Sequence, residues 1–184
     1  MIRLLRQLEL LFQTRVDPPP SAARKLKRVS KRIVKSGNDS RRRVAKSDEF
    51  LMTVWRNLRT EFFPGQPEID DYTVCWSTRP QKRVLASCNI RRKKVVVARE
   101  LFQPSASRWI SAVLYHEMCH AVIGEGVHLS QSGKRLWHGR QFRQLEALHP
   151  DITAMNTWIS TGGWAMAVHS YRAQLARRSK EASR

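Results

Sequence analysis

From residue 47 onward, apolar positions recur first at helical and then at strand spacing. Phe50, Val54, Leu58 and Phe62 repeat every four residues behind Ser47-Asp48-Glu49, a helix start with a capping carboxylate. Pro64-Gly65-Gln66-Pro67 closes that element. Three short runs rich in β-branched and aromatic residues follow: Tyr72–Ser77, Arg83–Cys88 and Lys94–Ala98, the last with Val95, Val96 and Val97 in succession. Basic residues between them (Arg79 to Lys82, Arg91 to Lys93) suit hairpin ends, so the runs predict a small antiparallel or mixed sheet. A long helical pattern then starts near Ser105 or Ser107 and passes through Trp109, Ala112, Val113, Cys119 and Ile123, with Gly124 and Gly126 as stops. Residues 127–137 read as loop, and helical patterns resume at Arg140–Leu148, Ile152–Ile159 and Trp164–Arg177. The expected class is α+β, a small sheet flanked by helices, without internal repeats.

Residues 1–46 have a different texture. Met1 to Phe12 is amphipathic, and Pro18, Pro19 and Pro20 separate it from a basic stretch. Between Ser21 and Lys46 there are eleven Lys or Arg and one acid, Asp39. Leu26, Val29 and Ile33 give that stretch one thin apolar stripe, but like charges repel along it, so isolated helicity is marginal. The expected division is a basic N-terminal arm at 1–46 and a folded domain at 47–184. Arg3, Arg6 and Glu9 interrupt any apolar run and no small-residue cleavage site follows, which disfavours a secretory signal. An organellar presequence is the competing reading of that start, and a cytoplasmic location is the expectation.

Composition sharpens this outline. The 184 residues are 41% apolar and include six Trp, six Phe and three Tyr, enough for a core and too many for wholesale disorder. With 34 Lys plus Arg against 15 Asp plus Glu, the net charge is +19, an excess that calls for an anionic partner, nucleic acid first. No apolar stretch is long enough to span a membrane. Cys75, Cys88 and Cys119 form no CxxC pair, which argues against a disulfide framework or a cysteine-rich metal site.

The candidate chemistry lies in His116-Glu117-Met118-Cys119-His120, an HExxH sequence. Four residues of helix is about 400° of rotation, so both imidazoles leave the same face one turn apart, a spacing that suits one zinc ion. Glu117 is offset by about 100° and can lean over an open metal position, where a carboxylate serves as proton acceptor and then donor in peptide hydrolysis. Chance supplies only roughly 0.01 such matches in a chain of this composition. A third ligand is needed. The elongated metzincin spacing fails, because Ile123 and Gly126 stand where it requires Gly and His. Glu125, His128, His138 and His149 are the candidates. His138 is preferred, since a following helix can lock it and Gly139 allows close approach of the chain.

The order helix, short strands, helix with Leu114-Tyr115-His116-Glu117-Met118-Cys119-His120-Ala121, then His138-Gly139-Arg140-Gln141-Phe142, resembles the SprT-like zinc metalloproteases. These include the Spartan-type enzymes that cleave proteins crosslinked to DNA. The resemblance spans roughly residues 47–150 and implies a zincin-like minimal metalloprotease core. It implies one Zn2+ held by His116, His120 and His138, with Glu117 as catalytic base. By the same analogy, the strand around Val95–Val97 is expected to be the edge on which an extended peptide lies. A Ser87-Cys88-Asn89 turn also looks similar to a short motif of that family. No zinc-ribbon, ubiquitin-binding or clamp-binding segment is recognisable.

Arg24, Lys25, Lys27, Arg28, Lys31, Arg32, Arg41, Arg42 and Arg43 are the expected phosphate contacts of a DNA-binding arm without sequence specificity, and a solvated tail is the plainer alternative. A smaller basic patch comprises Arg172, Arg177, Arg178, Lys180 and Arg184. Trp55 and Trp109 are expected in the core, Trp137 beside His138, and Trp158 and Trp164 either over the site or in packing. Tyr115, Tyr171, His169 and Arg140 are candidate oxyanion donors, and Cys119 reads as a small core residue. The expected function is a zinc endopeptidase acting on proteins bound to nucleic acid. The alternative is a zinc-stapled nucleic-acid-binding module without hydrolysis.

Overall fold

The structure, a computed structural model, describes residues 48–125 and 136–183. The arm at 1–46, with its proposed phosphate contacts, and His128 lie outside the described residues. Among the described residues, five α-helices and one three-stranded sheet make up an α+β fold. Among the described residues, no helix is long and apolar enough to cross a membrane.

Helix α1 (Glu49–Phe62) begins where the capping signal places it: the Asp48 carboxylate accepts from the Leu51 N–H at 3.2 Å. Its buried face is rotated from the expected Phe50 stripe. Leu51, Met52, Trp55 and Leu58 are buried, Val54 and Phe62 lie at the margin, and Phe50 is exposed. The row carrying Trp55 wins because that indole is the largest fully buried side chain, and its Nε1 donates to the Ile69 carbonyl at 3.0 Å.

The sheet holds β1 (Thr73–Trp76), β2 (Ala86–Asn89) and β3 (Lys94–Val97) in the order β1-β3-β2. β3 runs antiparallel to β2 and parallel to β1, so the sheet is mixed. Only Ile90–Lys93 makes a tight hairpin, with Lys93 at φ 45° and Asn89 Oδ1 accepting from the Arg92 N–H. The longer link over residues 77–85 leaves room for β3 to enter between its predecessors. Two expectations from the sequence do not hold in the fold. Val95–Val97 forms the central strand, paired on both sides, as an uninterrupted apolar run suits, and so cannot offer an edge to a peptide. Ser87-Cys88-Asn89 is strand, not turn.

Helix α2 (Ile110–Ile123) follows a short 3-10 turn at Ser107–Trp109 and is apolar nearly all round, the signature of a helix enclosed on every side. It packs on α1, on β2 and on α3 (Arg140–Glu146). Gly124 ends it at φ 61°, a conformation that strongly favours glycine. Helices α4 (Ile152–Ser160) and α5 (Gly163–Ala182) complete the fold. Trp158 packs against Trp109, and Trp164 donates to the Lys82 carbonyl, so both are packing residues.

Candidate metal centre

Enclosure of α2 forces its two histidines into the interior. His116 and His120 are buried one turn apart, with ring centroids 5.1 Å from each other. After the described chain resumes at residue 136, the Gly139 N–H donates to the Leu136 carbonyl and turns the backbone tightly around Trp137 and His138. A Cβ at Gly139 would press to 3.3 Å from that same carbonyl oxygen, which is why glycine suits the turn. The turn delivers His138 to the α2 pair. Its ring centroid is 5.2 Å from His116 and 4.9 Å from His120, and its Nε2 stands 3.1 Å from His120 Nε2.

One candidate ligand atom from each of the three rings lies within 4.8 Å of the others, so the group can hold a metal ion. Electrostatics suits that role. Burial, then the His116 and His138 rings, pushes the His120 pKa far down. Burial and His116 likewise lower His138 to about 4, against the opposing pull of Glu146. Two imidazoles held neutral with nitrogens face to face present lone pairs that a shared cation satisfies.

Glu117 sits beside this cluster, completely buried, with Oε1 lacking a hydrogen-bond partner. Burial raises its pKa well above the carboxylate range, while a hydrogen bond from the Cys88 backbone N–H pulls the other way. That N–H is available because of strand register. Ala98 donates to the Leu85 carbonyl, so the bonded pairs with β3 alternate through Ser87 and Asn89, and the backbone of Cys88 points away from β3.

Two residues complete the centre that sequence reading gave no role. Phe142 is fully buried, with its ring 4.9, 4.4 and 4.7 Å from those of His116, His120 and His138. One turn later on the same face of α3, Glu146 Oε1 meets His116 Nδ1 at 2.6 Å. Burial pushes the Glu146 carboxyl up, but the His116 hydrogen bond, with His138 and Arg143 nearby, holds it below the usual range. The signal for Glu146 was its spacing, one turn beyond an apolar Phe on a helix otherwise largely polar.

The comparison with protein families agrees with this geometry: residues 51–155 match the SprT-like family. The chain belongs to that family. No curated protein matches it. The matched stretch of this SprT-like chain contains all three histidines, Glu117, Phe142 and Glu146.

The other candidates of this SprT-like chain fall away from the three-histidine cluster or have other partners. His149 is buried against Ser111 Oγ at 3.1 Å and takes the Asp151 N–H on Nδ1, and Glu125 pairs with Arg91. Tyr115 donates its hydroxyl to the Leu145 carbonyl. His169 and Arg140 are exposed, and Tyr171 lines a hollow with Trp76 and Phe102. Trp137 packs edge-on against His120, at 6.5 Å between centroids. Cys119 is buried.

Proposed function

We propose that the chain is a zinc-dependent endopeptidase that cleaves proteins bound or crosslinked to nucleic acid. The carrying observation is Glu117, a buried carboxyl with an unpartnered oxygen beside three converging imidazoles. A purely structural metal site has no use for such an acid. Three nitrogen donors are the set of a catalytic zinc with one open position, and zinc supplies Lewis-acid activation of water and of a peptide carbonyl.

In this reading His116, His120 and His138 are the ligands. Glu146 fixes the His116 ring through Nδ1, which directs Nε2 to the cluster. Phe142 closes the floor against water. Burial raises the Glu117 pKa, an effect that the charge of a bound cation would offset. Glu117 would then take a proton from the attacking water at its carboxylate and return it to the leaving amine, with Cys88 N–H orienting the carboxylate. The strand beside Glu117 is β2, so an extended peptide would run against Ala86–Asn89. The arm at 1–46 would grip phosphates through the basic residues between Arg24 and Arg43, with the catalytic unit at 47–184. Action on DNA-associated proteins fits the net charge of +19, and the location proposed with it is cytoplasmic.

The test incubates wild type and Glu117→Gln with a basic DNA-binding protein, with and without single-stranded DNA. Wild type should cleave only with metal and DNA present, and Glu117→Gln should keep its zinc while losing about 10²–10⁴-fold in rate. Equal cleavage by the variant removes Glu117 as the base. Zinc retention with no cleavage by either protein favours the non-hydrolytic binding module.

A further inference from the structure

A second feature lies on the opposite edge of the sheet from Glu117. The last residue of β1, Trp76, meets Phe102 edge-on at 5.7 Å between centroids, and Phe102 is 70% exposed. With Tyr171 and Arg178 of α5, Arg99 and Asp48, these rings line an open hollow of about 360 Å³. Phe102 and the neighbouring Trp76 ring together leave aromatic surface open to solvent at this hollow.

The charge around the hollow is positive on balance, with two arginines and one acid in its wall. Arg99 and Arg178 are exposed, and neither is held in a salt bridge among the described residues. Asp48, the one acid in the wall, is occupied as the α1 cap. α5 carries Arg172, Arg177 and Lys180 on its exposed surface.

We infer that this hollow binds single-stranded nucleic acid, with an unstacked base against Phe102 and Trp76 and flanking phosphates on Arg99 and Arg178. Aromatic rings offer a stacking face to any base, and arginines track the backbone. A duplex keeps its base faces covered by its own stack and can use only the arginines. Tyr171 supplies a third ring at the wall. The inference rests on the nucleic-acid half of the reading above and adds to it a strand preference and a site separate from the metal centre.

The test measures anisotropy of a labelled oligothymidine and of a duplex of equal length, with the full chain as wild type, Phe102→Ala, Phe102→Trp and Arg99→Ala/Arg178→Ala. Phe102→Ala should lose about 5- to 100-fold in single-strand affinity while duplex affinity stays within about twofold, and Phe102→Trp should restore it. The arginine pair should weaken both ligands and flatten the salt dependence. Since Phe102 is exposed, thermal unfolding of its variants should match wild type. Single-strand affinity within about twofold of wild type for Phe102→Ala overturns the inference while leaving arm-mediated binding in place. No binding of either nucleic acid by wild type overturns both. If polyglutamate of equal charge displaces the oligonucleotide and is itself lost with Phe102→Ala, the hollow is an acidic-peptide site and the inference fails.

Discussion

Glu146 Oε1 and His116 Nδ1 lie 2.6 Å apart, joining α3 to the histidine pair of α2 through a nearly buried contact. The carboxylate fixes both the orientation of the ring and which nitrogen carries the proton. Glu146→Gln should therefore weaken zinc binding by about 10- to 100-fold in competition with a chelator, with far-ultraviolet circular dichroism unchanged. Affinity equal to wild type would reduce this contact to packing.

His138 reaches the cluster from a turn rather than from a rigid helix. His138→Ala should sharply reduce zinc content after gel filtration and raise sensitivity to chelator, while His149→Ala should leave metal content unchanged. The His149 ring is committed to Ser111 and to the Asp151 N–H. Unchanged zinc content in His138→Ala would move the third ligand elsewhere.

Glu100 offers a pH test away from the metal centre. Its side chain is fully buried, Oε1 accepts from the Gln81 N–H at 2.5 Å, and Oε2 has no hydrogen-bond partner. Burial raises its pKa, against hydrogen bonds from its own and the Gln81 backbone and the charges of Arg172 and Arg99. A folded-state pKa above the unfolded value means that the stabilising contribution is complete below the ordinary value near 4.5 and is lost as pH rises through the folded value. Glu100→Gln, which never ionises, should thus gain in melting temperature relative to wild type between pH 4 and pH 8. A difference that stays flat with pH would place the Glu100 carboxyl in a water-like setting.

Neutralising Arg24, Lys25, Lys27, Arg28, Lys31 and Arg32 to Gln in the full chain should flatten the salt dependence of duplex binding. Each lost phosphate contact removes about 0.9 from the slope of log affinity against log salt. Zinc content should be unaffected. An unchanged slope would make the arm a solvated tail.

Local signals in the sequence were read well where a few adjacent residues decide the outcome. Asp48 caps α1 and Gly124 ends α2, because a side-chain acceptor and a left-handed backbone act within one turn. Packing overrode local pattern elsewhere. Phe50 continues a helical stripe yet lies in solvent, since Trp55 captures the buried face. Val95–Val97 is central rather than peripheral: an apolar run suits that place, but strand order is decided by which strands meet.

By itself, the sequence determined that His116 and His120 share a face with Glu117 close by, and that an excess of positive charge needs an anionic partner. Helix periodicity fixes the first within four residues, and counting fixes the second. Only the tertiary structure decided that His138 rather than Glu125 or His149 joins the pair. It alone brought Glu146 onto His116, Cys88 N–H onto Glu117, and Trp76, Phe102 and Tyr171 around one hollow. Those meetings join residues far apart in the chain, and only the packing of whole elements against one another sets such distances.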